Sequence, residues 1–80
     1  HDGRLQIADL YRAFLRLPDE QREALQLVGA QGYSYEEAAA ICGVAVGTVK
    51  SRANRARARL AQLLDVSDSE SLEITDGATL

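Results

Sequence analysis

Residues 35–59, YEEAAAICGVAVGTVKSRANRARAR, decide the fold of this 80-residue chain. They predict two helices joined by a very short turn. The first, Tyr35–Cys42, follows Ser34, which together with a glutamate three residues later has the form of a capping box at a helix start. Gly43 suits the left-handed backbone conformation that commonly ends an α-helix. A second helix is expected over residues 46–64. Two helices joined this closely cross at a steep angle, which predicts a helix-turn-helix.

The second of these helices has an apolar side and a cationic side. Its apolar residues step by three and four along the chain, so they fall on one helical face and are expected in the core: Val46, Val49, Ala53, Ala56, Leu60 and Leu63. Residues 47–64 contain five basic residues and no acidic residue. A basic helix alone is typical of a solvated surface. Following a capped short helix and a glycine turn, it indicates a helix that enters the major groove of DNA.

The polar side chains divide into two classes of candidate DNA contact. Arg and Lys can donate to guanine, Asn can pair with adenine, and Ser is permissive, so the candidates for base contacts are Lys50, Ser51, Asn54 and Arg55. The candidates for phosphate contacts are Ser34, Tyr35, Thr48, Arg52, Arg57 and Arg59. Two of these, Ser34 and Tyr35, stand at a helix N-terminus, where backbone N–H groups suit a phosphate.

Two more helices precede this pair. The first is predicted over residues 4–16, where one apolar stripe is expected to face the core: Leu5, Ala8, Leu10, Tyr11, Phe14 and Leu15. Pro18 separates it from a second helix that ends before Gly29 and Gly32. No strand-like alternation is present, so we expect an all-α fold of four helices, winged-helix-like but without a wing.

Residues 65–80 form an acidic segment with no basic residue and no sustained helical period. Serine, threonine and glycine are frequent in it, so we expect a mostly disordered tail that aids solubility. The alternative is a tail that folds back on the basic helix and competes with DNA. The predicted organisation is a DNA-binding domain over residues 1–64 and a tail over residues 65–80.

Composition narrows the classes of function. The net charge of −3 is unusual for a DNA-binding domain, but the basic residues are concentrated in one helix, where a docking ligand meets mainly local charge. A single cysteine, Cys42, excludes an internal disulfide and fits a reducing cytoplasm; we interpret it as a small apolar residue. No membrane-length apolar run, signal peptide or nucleophile–base set is visible. We therefore expect a cytoplasmic non-enzyme without metal, cofactor, membrane or small-molecule substrate. Because the chain starts at His1, we interpret it as part of a longer protein.

In its motifs the chain resembles region 4 of the extracytoplasmic-function sigma factors in the sigma-70 family. The matching stretches are LPDEQREAL (17–25), GYSYEEAA (32–39), Gly43, VGTVKSR (46–52) and RAR (55–57). Within the family, the segment ICGVA (41–45) and Asn54 look most like the general-stress-response sigma factors of alphaproteobacteria. The resemblance covers roughly residues 5–64.

The resemblance implies a transcription initiation factor domain that binds the promoter −35 element through its fourth helix, with base contacts from Lys50, Ser51, Asn54 and Arg55. It also implies docking on the β-subunit flap of RNA polymerase and sequestration by an anti-sigma factor. Two alternatives stay open. One is a sigma-mimic module that binds an anti-sigma factor and no DNA, against which the retained base-reading residues argue. The other is the output domain of a response regulator, against which the arginine-rich run 52–59 argues.

Overall fold

The computed structural model describes residues 6–76, and it describes side chains for residues 6–65. The described residues form four α-helices: α1 (Ile7–Leu15), α2 (Asp19–Leu25), α3 (Tyr35–Cys42) and α4 (Val46–Asp76). A π-helical turn, Gln26–Ala30, continues α2. No β-strand occurs between residues 6 and 76. The predicted all-α, four-helix architecture is confirmed.

Local hydrogen bonds set both ends of α3, at the predicted residues. At its start, the Glu37 backbone N–H donates to Ser34 Oγ at 3.0 Å, and the Ser34 N–H donates to Glu37 Oε1 at 2.9 Å. At its end, Gly43 adopts a left-handed conformation with φ 70° and ψ 36°. The N–H groups of Gly43 and Val44 both donate to the Ala39 carbonyl, at 2.8 and 3.1 Å. The chain therefore turns at once, and α4 begins at Val46.

Arg22 ties the end of α1 to α2. Its guanidinium donates to the Leu15 carbonyl at 3.1 Å and to the Leu17 carbonyl at 3.3 Å, and it pairs with Asp19 at 2.7 Å. The last carbonyls of a helix lack partners within the helix, so a donor from the next element satisfies them. These bonds of Arg22 fix the corner between α1 and α2, where the chain has no glycine.

The core lies between α2, the π-helical turn, α3 and α4, and it is built largely of alanine. Its buried members are Ala24, Leu27, Ala38, Ala39, Val49 and Ala53. The predicted apolar face of α4 is confirmed, because Val49, Ala53 and Ala56 are fully buried and Val46, Leu60 and Leu63 are half-buried.

The prediction that the apolar stripe of α1 is core is wrong. Tyr11 is 61% exposed, Leu10 45% and Leu15 49%, and Phe14 is only half-buried. The buried residue of α1 is Ala13. Most of the apolar face of α1 therefore has no covering element among the described residues. Leu5 lies outside the described residues.

Three predicted helix ends need correction. α1 begins at Ile7 rather than at residue 4, because Gln6 is extended and its N–H donates to Asp9 at 3.2 Å. α2 passes into the π-helical turn and stops before Gly32, whose φ is 77°. α4 continues past Leu64 to Asp76. Residues 48–76 contain neither Gly nor Pro, so no helix breaker occurs before position 77.

The continuous helix bears on the acidic segment. Since α4 is one helix from Val46 to Asp76, residue 76 lies about 39 Å from residue 50 at the usual rise per residue. Residues 65–76 on this helix cannot fold back onto residues 50–59. Residues 77–80 lie outside the described residues, and the division of the chain into a domain and a tail at residue 64 stays a prediction.

The left-handed turn gives a stability prediction. Gly43→Ala is expected to lower the free energy of unfolding by about 1–2 kcal/mol, because a Cβ disfavours positive φ even where space is open. Gly47→Ala is the matched control: Gly47 lies in α4 and a Cβ there meets nothing, so that variant should gain about 0.5 kcal/mol. Urea unfolding followed by circular dichroism measures both, and equal stabilities would contradict the role of the turn.

Candidate nucleic-acid interface

α4 presents its polar residues on the side away from the core. All four candidates for base contacts are exposed: Lys50, Ser51, Asn54 and Arg55. With 100° between successive residues, Ser51, Asn54 and Arg55 fall opposite the buried face, together with Gly47 and Ala58. The small residues among them let the helix backbone come close to a flat or grooved partner. We call this set of five positions the outward face.

One flank of the outward face lies beside α3 and is organised by Tyr35. The Lys50 ammonium lies 5.8 Å from the centre of the Tyr35 ring, within range of a cation–π interaction. The Arg57 guanidinium donates to the Tyr35 hydroxyl at 3.3 Å and to Asn54 Oδ1 at 3.2 Å, through the same nitrogen. Tyr35 is half-buried and packs on the core. It therefore anchors two cations of α4 to α3.

The other flank lies beside the start of α2. Arg52 forms a salt bridge with Glu20 at 3.4 Å, and its side chain is 23% exposed. A cleft separates the two helices and is lined by Pro18, Glu20, Gln21, Gly47, Thr48, Ser51, Arg52 and Arg55. The Gln21 side-chain oxygen is buried at this place, and no donor among the described residues reaches it. Glu20 and Gln21 of α2 therefore line the same cleft as two candidates for base contacts, Ser51 and Arg55.

The predicted phosphate contacts occupy different surroundings. Arg57 and Arg59 are exposed on α4, whereas Thr48 and Arg52 are half-buried. Ser34 uses both its N–H and its hydroxyl in the capping box with Glu37. Contacts to phosphate by these residues, and base contacts by Lys50, Ser51, Asn54 and Arg55, stay predictions from the sequence.

Sequence reasoning missed the residues of α2 that border the site. Glu20 is 32 positions from its partner Arg52, and no short-range sequence pattern predicts such a pair. It also missed the Arg57–Tyr35 bond, which spans 22 positions. Helical phase indicates which side of α4 each residue takes, but the contact depends on how α2 and α3 pack against it.

A second surface, separate from the outward face, is apolar. Ile7, Leu10, Tyr11, Phe14, Leu25 and Leu60 line a groove between α1, α2 and α4, together with Gln26, Gly29 and Ala30. Its floor is nearly free of polar atoms. Apolar area exposed in this way can be buried by another molecule. We call it the α1 groove.

Two titratable groups among the described residues, Cys42 and Asp9, have a shifted pKa. Burial and the neighbouring Glu23 carboxylate raise the pKa of the Cys42 thiol, so it stays protonated near neutral pH. A hydrogen bond from the Arg12 guanidinium, together with one from the Gln6 N–H, lowers the pKa of the Asp9 carboxyl group. No group of His, Cys, Asp and Glu that could hold a metal occurs among the described residues. None of the described helices is both long and apolar enough to span a bilayer.

The chain is similar to known proteins over most of its length. The family model described as "Sigma-70, region 4" matches residues 7–60. The chain is 59% identical over 66 residues to the ECF RNA polymerase sigma factor EcfG of Rhodopseudomonas palustris, covering 82% of this chain and 36% of EcfG. It is 62% identical over 53 residues to the ECF RNA polymerase sigma factor SigM of Mycobacterium tuberculosis, covering 66% of this chain and 27% of SigM.

A solved structure is similar over the same region. It is the sigma factor RpoE of Bartonella quintana in complex with the anti-sigma factor NepR, at 55% identity and a TM-score of 0.72. The match covers 82% of this chain and 41% of the other. The chain thus spans about a third of the length of the curated relatives that it matches. On the family match over residues 7–60, this chain belongs to the sigma-70 region 4 family.

Proposed function

We propose that this chain recognises the −35 element of a bacterial promoter with the outward face of α4. The observation that carries the proposal is an exposed polar face on a helix whose residues 47–64 include five bases and no acid. A helix of this kind fits the major groove, and its cations replace counterions on the phosphates. The protein would act in the bacterial cytoplasm, as a binding domain without catalytic groups.

The relatives support this proposal and its finer form. EcfG and SigM are named as RNA polymerase sigma factors, and a resemblance to the alphaproteobacterial stress-response type agrees with the identity to EcfG and RpoE. The family match disfavours the response-regulator alternative. A sigma-mimic that binds no DNA differs from a true sigma domain in one measurable property, which is preference for a DNA sequence.

A partner-docking role is favoured by the α1 groove. RpoE is described in complex with an anti-sigma factor, and its match covers most of this chain. We propose that the groove receives the β-subunit flap of RNA polymerase, and that an anti-sigma factor competes for the chain by covering this groove or the outward face. Apolar side chains such as Leu10 and Tyr11 are exposed among the described residues, so burying them on docking would be favourable.

The DNA proposal is tested by titrating the chain with a duplex that carries a GGAAC-type −35 sequence and with a scrambled duplex. We expect tighter binding to the first. If about four phosphates are contacted, the logarithm of the binding constant should fall against the logarithm of salt with a slope of about −3.6. Equal binding to both duplexes would support the sigma-mimic instead.

Arg55 is the base contact most open to a test. Arg55→Ala is expected to weaken binding to the −35 duplex by about 1–3 kcal/mol and to relax sequence preference at one or two base pairs. Arg12→Ala is the control, since Arg12 lies on α1 and pairs with Asp9; it should leave preference unchanged. If Arg55→Ala weakens binding to every sequence alike, Arg55 contacts the DNA backbone.

The α1 groove has its own test. Leu10→Asp places a charge in the groove and is expected to weaken binding to core RNA polymerase about tenfold or more, while DNA binding stays unchanged. Ala8→Asp adds the same charge to an exposed position of α1 outside the groove, and it should have little effect. Affinity for the polymerase can be measured by fluorescence anisotropy, and equal losses in both variants would remove the groove from the docking surface.

A further inference from the structure

Arg57 joins a base-reading candidate to the neighbouring helix. Its guanidinium lies one turn beyond Asn54 on α4 and donates to Asn54 Oδ1 at 3.2 Å. The same nitrogen donates to the Tyr35 hydroxyl at 3.3 Å. Because Tyr35 packs on the core from α3, the guanidinium is held from outside its own helix. The orientation of the Asn54 side chain is therefore tied to the packing of α3 on α4.

The chemistry of the guanidinium determines which end of the amide it meets. Arginine carries only donors, so it pairs with the carbonyl oxygen of an amide and not with the NH₂ group. The Asn54 oxygen thus faces the α3 flank, where Arg57 lies. The NH₂ group is the other branch of the planar amide, and it cannot accept from the donors of Arg57. Asn54 itself is exposed there.

We infer that Arg57, anchored by Tyr35, makes Asn54 a hydrogen-bond donor towards DNA and so sets which base it selects. The inference rests on the proposed function, in which α4 enters the major groove. An asparagine that reads adenine needs its oxygen and its NH₂ group on the same base edge, to accept from N6 and donate to N7. Arg57 occupies one of the two lone pairs of the oxygen and draws the oxygen towards α3, so the NH₂ group is the stronger partner left for a base. The guanine edge offers two acceptors, N7 and O6, and is the better match.

Arg57 and Tyr35 are positioning residues in this scheme, and binding to DNA strengthens their effect. In the free protein the bonds from Arg57 are solvent-exposed, so water competes with them. DNA on the outward face limits the access of water to the adjoining α3 flank, and hydrogen bonds in less polar surroundings are stronger. The orientation of Asn54 is then held most firmly in the state in which a base is read.

The test measures base preference at one position. Asn54→Ala, titrated with the −35 duplex and with duplexes in which each base pair is replaced in turn, identifies the base pair whose discrimination depends on Asn54. The unsubstituted chain is expected to prefer guanine over adenine there. Arg57→Met releases the amide oxygen, and the ratio of the two affinities should shift towards adenine by about tenfold.

Arg59→Met is the matched control. It removes the same charge from an exposed position of the same helix, so it should lower the salt dependence to the same extent and leave the guanine-to-adenine ratio unchanged. Tyr35→Phe removes only the hydroxyl that anchors Arg57 and keeps the ring beneath Lys50. In Tyr35→Phe the guanine-to-adenine ratio should shift in the same direction as in Arg57→Met, by a smaller factor. Circular dichroism establishes that each variant keeps the helical fold.

The outcomes separate the inference from the proposed function. An unchanged guanine-to-adenine ratio in Arg57→Met overturns the inference, as does an equal shift in Arg59→Met. Discrimination that survives Asn54→Ala at every base pair overturns it as well, with the proposed function intact. A chain without preference for any duplex overturns both.

Discussion

The architecture depends on how closely α4 approaches α2 and α3 across small side chains. Ala24, Ala38 and Ala53 are nearly or completely buried where these helices meet, and Val49 is the largest side chain that is fully buried. Alanines at a crossing let helix backbones come close, at the lower end of usual interaxial distances. The crossing of α3 and α4 in turn sets where Tyr35 meets Arg57, and the packing of α2 on α4 sets where Glu20 meets Arg52. The polar contacts on both flanks of the outward face thus follow from apolar packing on the opposite side.

A core of alanines also has an energetic consequence. Each alanine removes little apolar area from water, and the hydrophobic contribution scales with that area. The larger apolar side chains of α1, such as Leu10 and Tyr11, are instead left exposed. A small domain buries a modest fraction of its surface in any case. The apolar area of the α1 groove therefore lies on the surface and does not stabilise the fold. It is available there for a partner to bury.

Local signals explain what could be predicted from the sequence. The bounds of α3 and the start of α4 were predictable because a capping box and a left-handed glycine act within a few residues. The exposure of Tyr11 was not, since a helical stripe shows which residues share a face and not whether anything covers it. The end of α4 was missed because an acidic, serine-rich composition was given more weight than the absence of helix breakers. Among the site residues, helical phase predicted the exposed set, but the contacts of Arg52 and Arg57 join distant parts of the chain.

The long helix α4 separates charge along a single axis. Its N-terminal half carries the five basic residues, and from residue 65 onward the sequence has acids and no bases. The charges of the helix thus form a dipole along its length, positive towards its N-terminus. In the field of a polyanion, such a rod turns before contact is made, with the basic end inward and the acidic end outward. The domain would arrive at a duplex already oriented, so that fewer encounters begin with the wrong end.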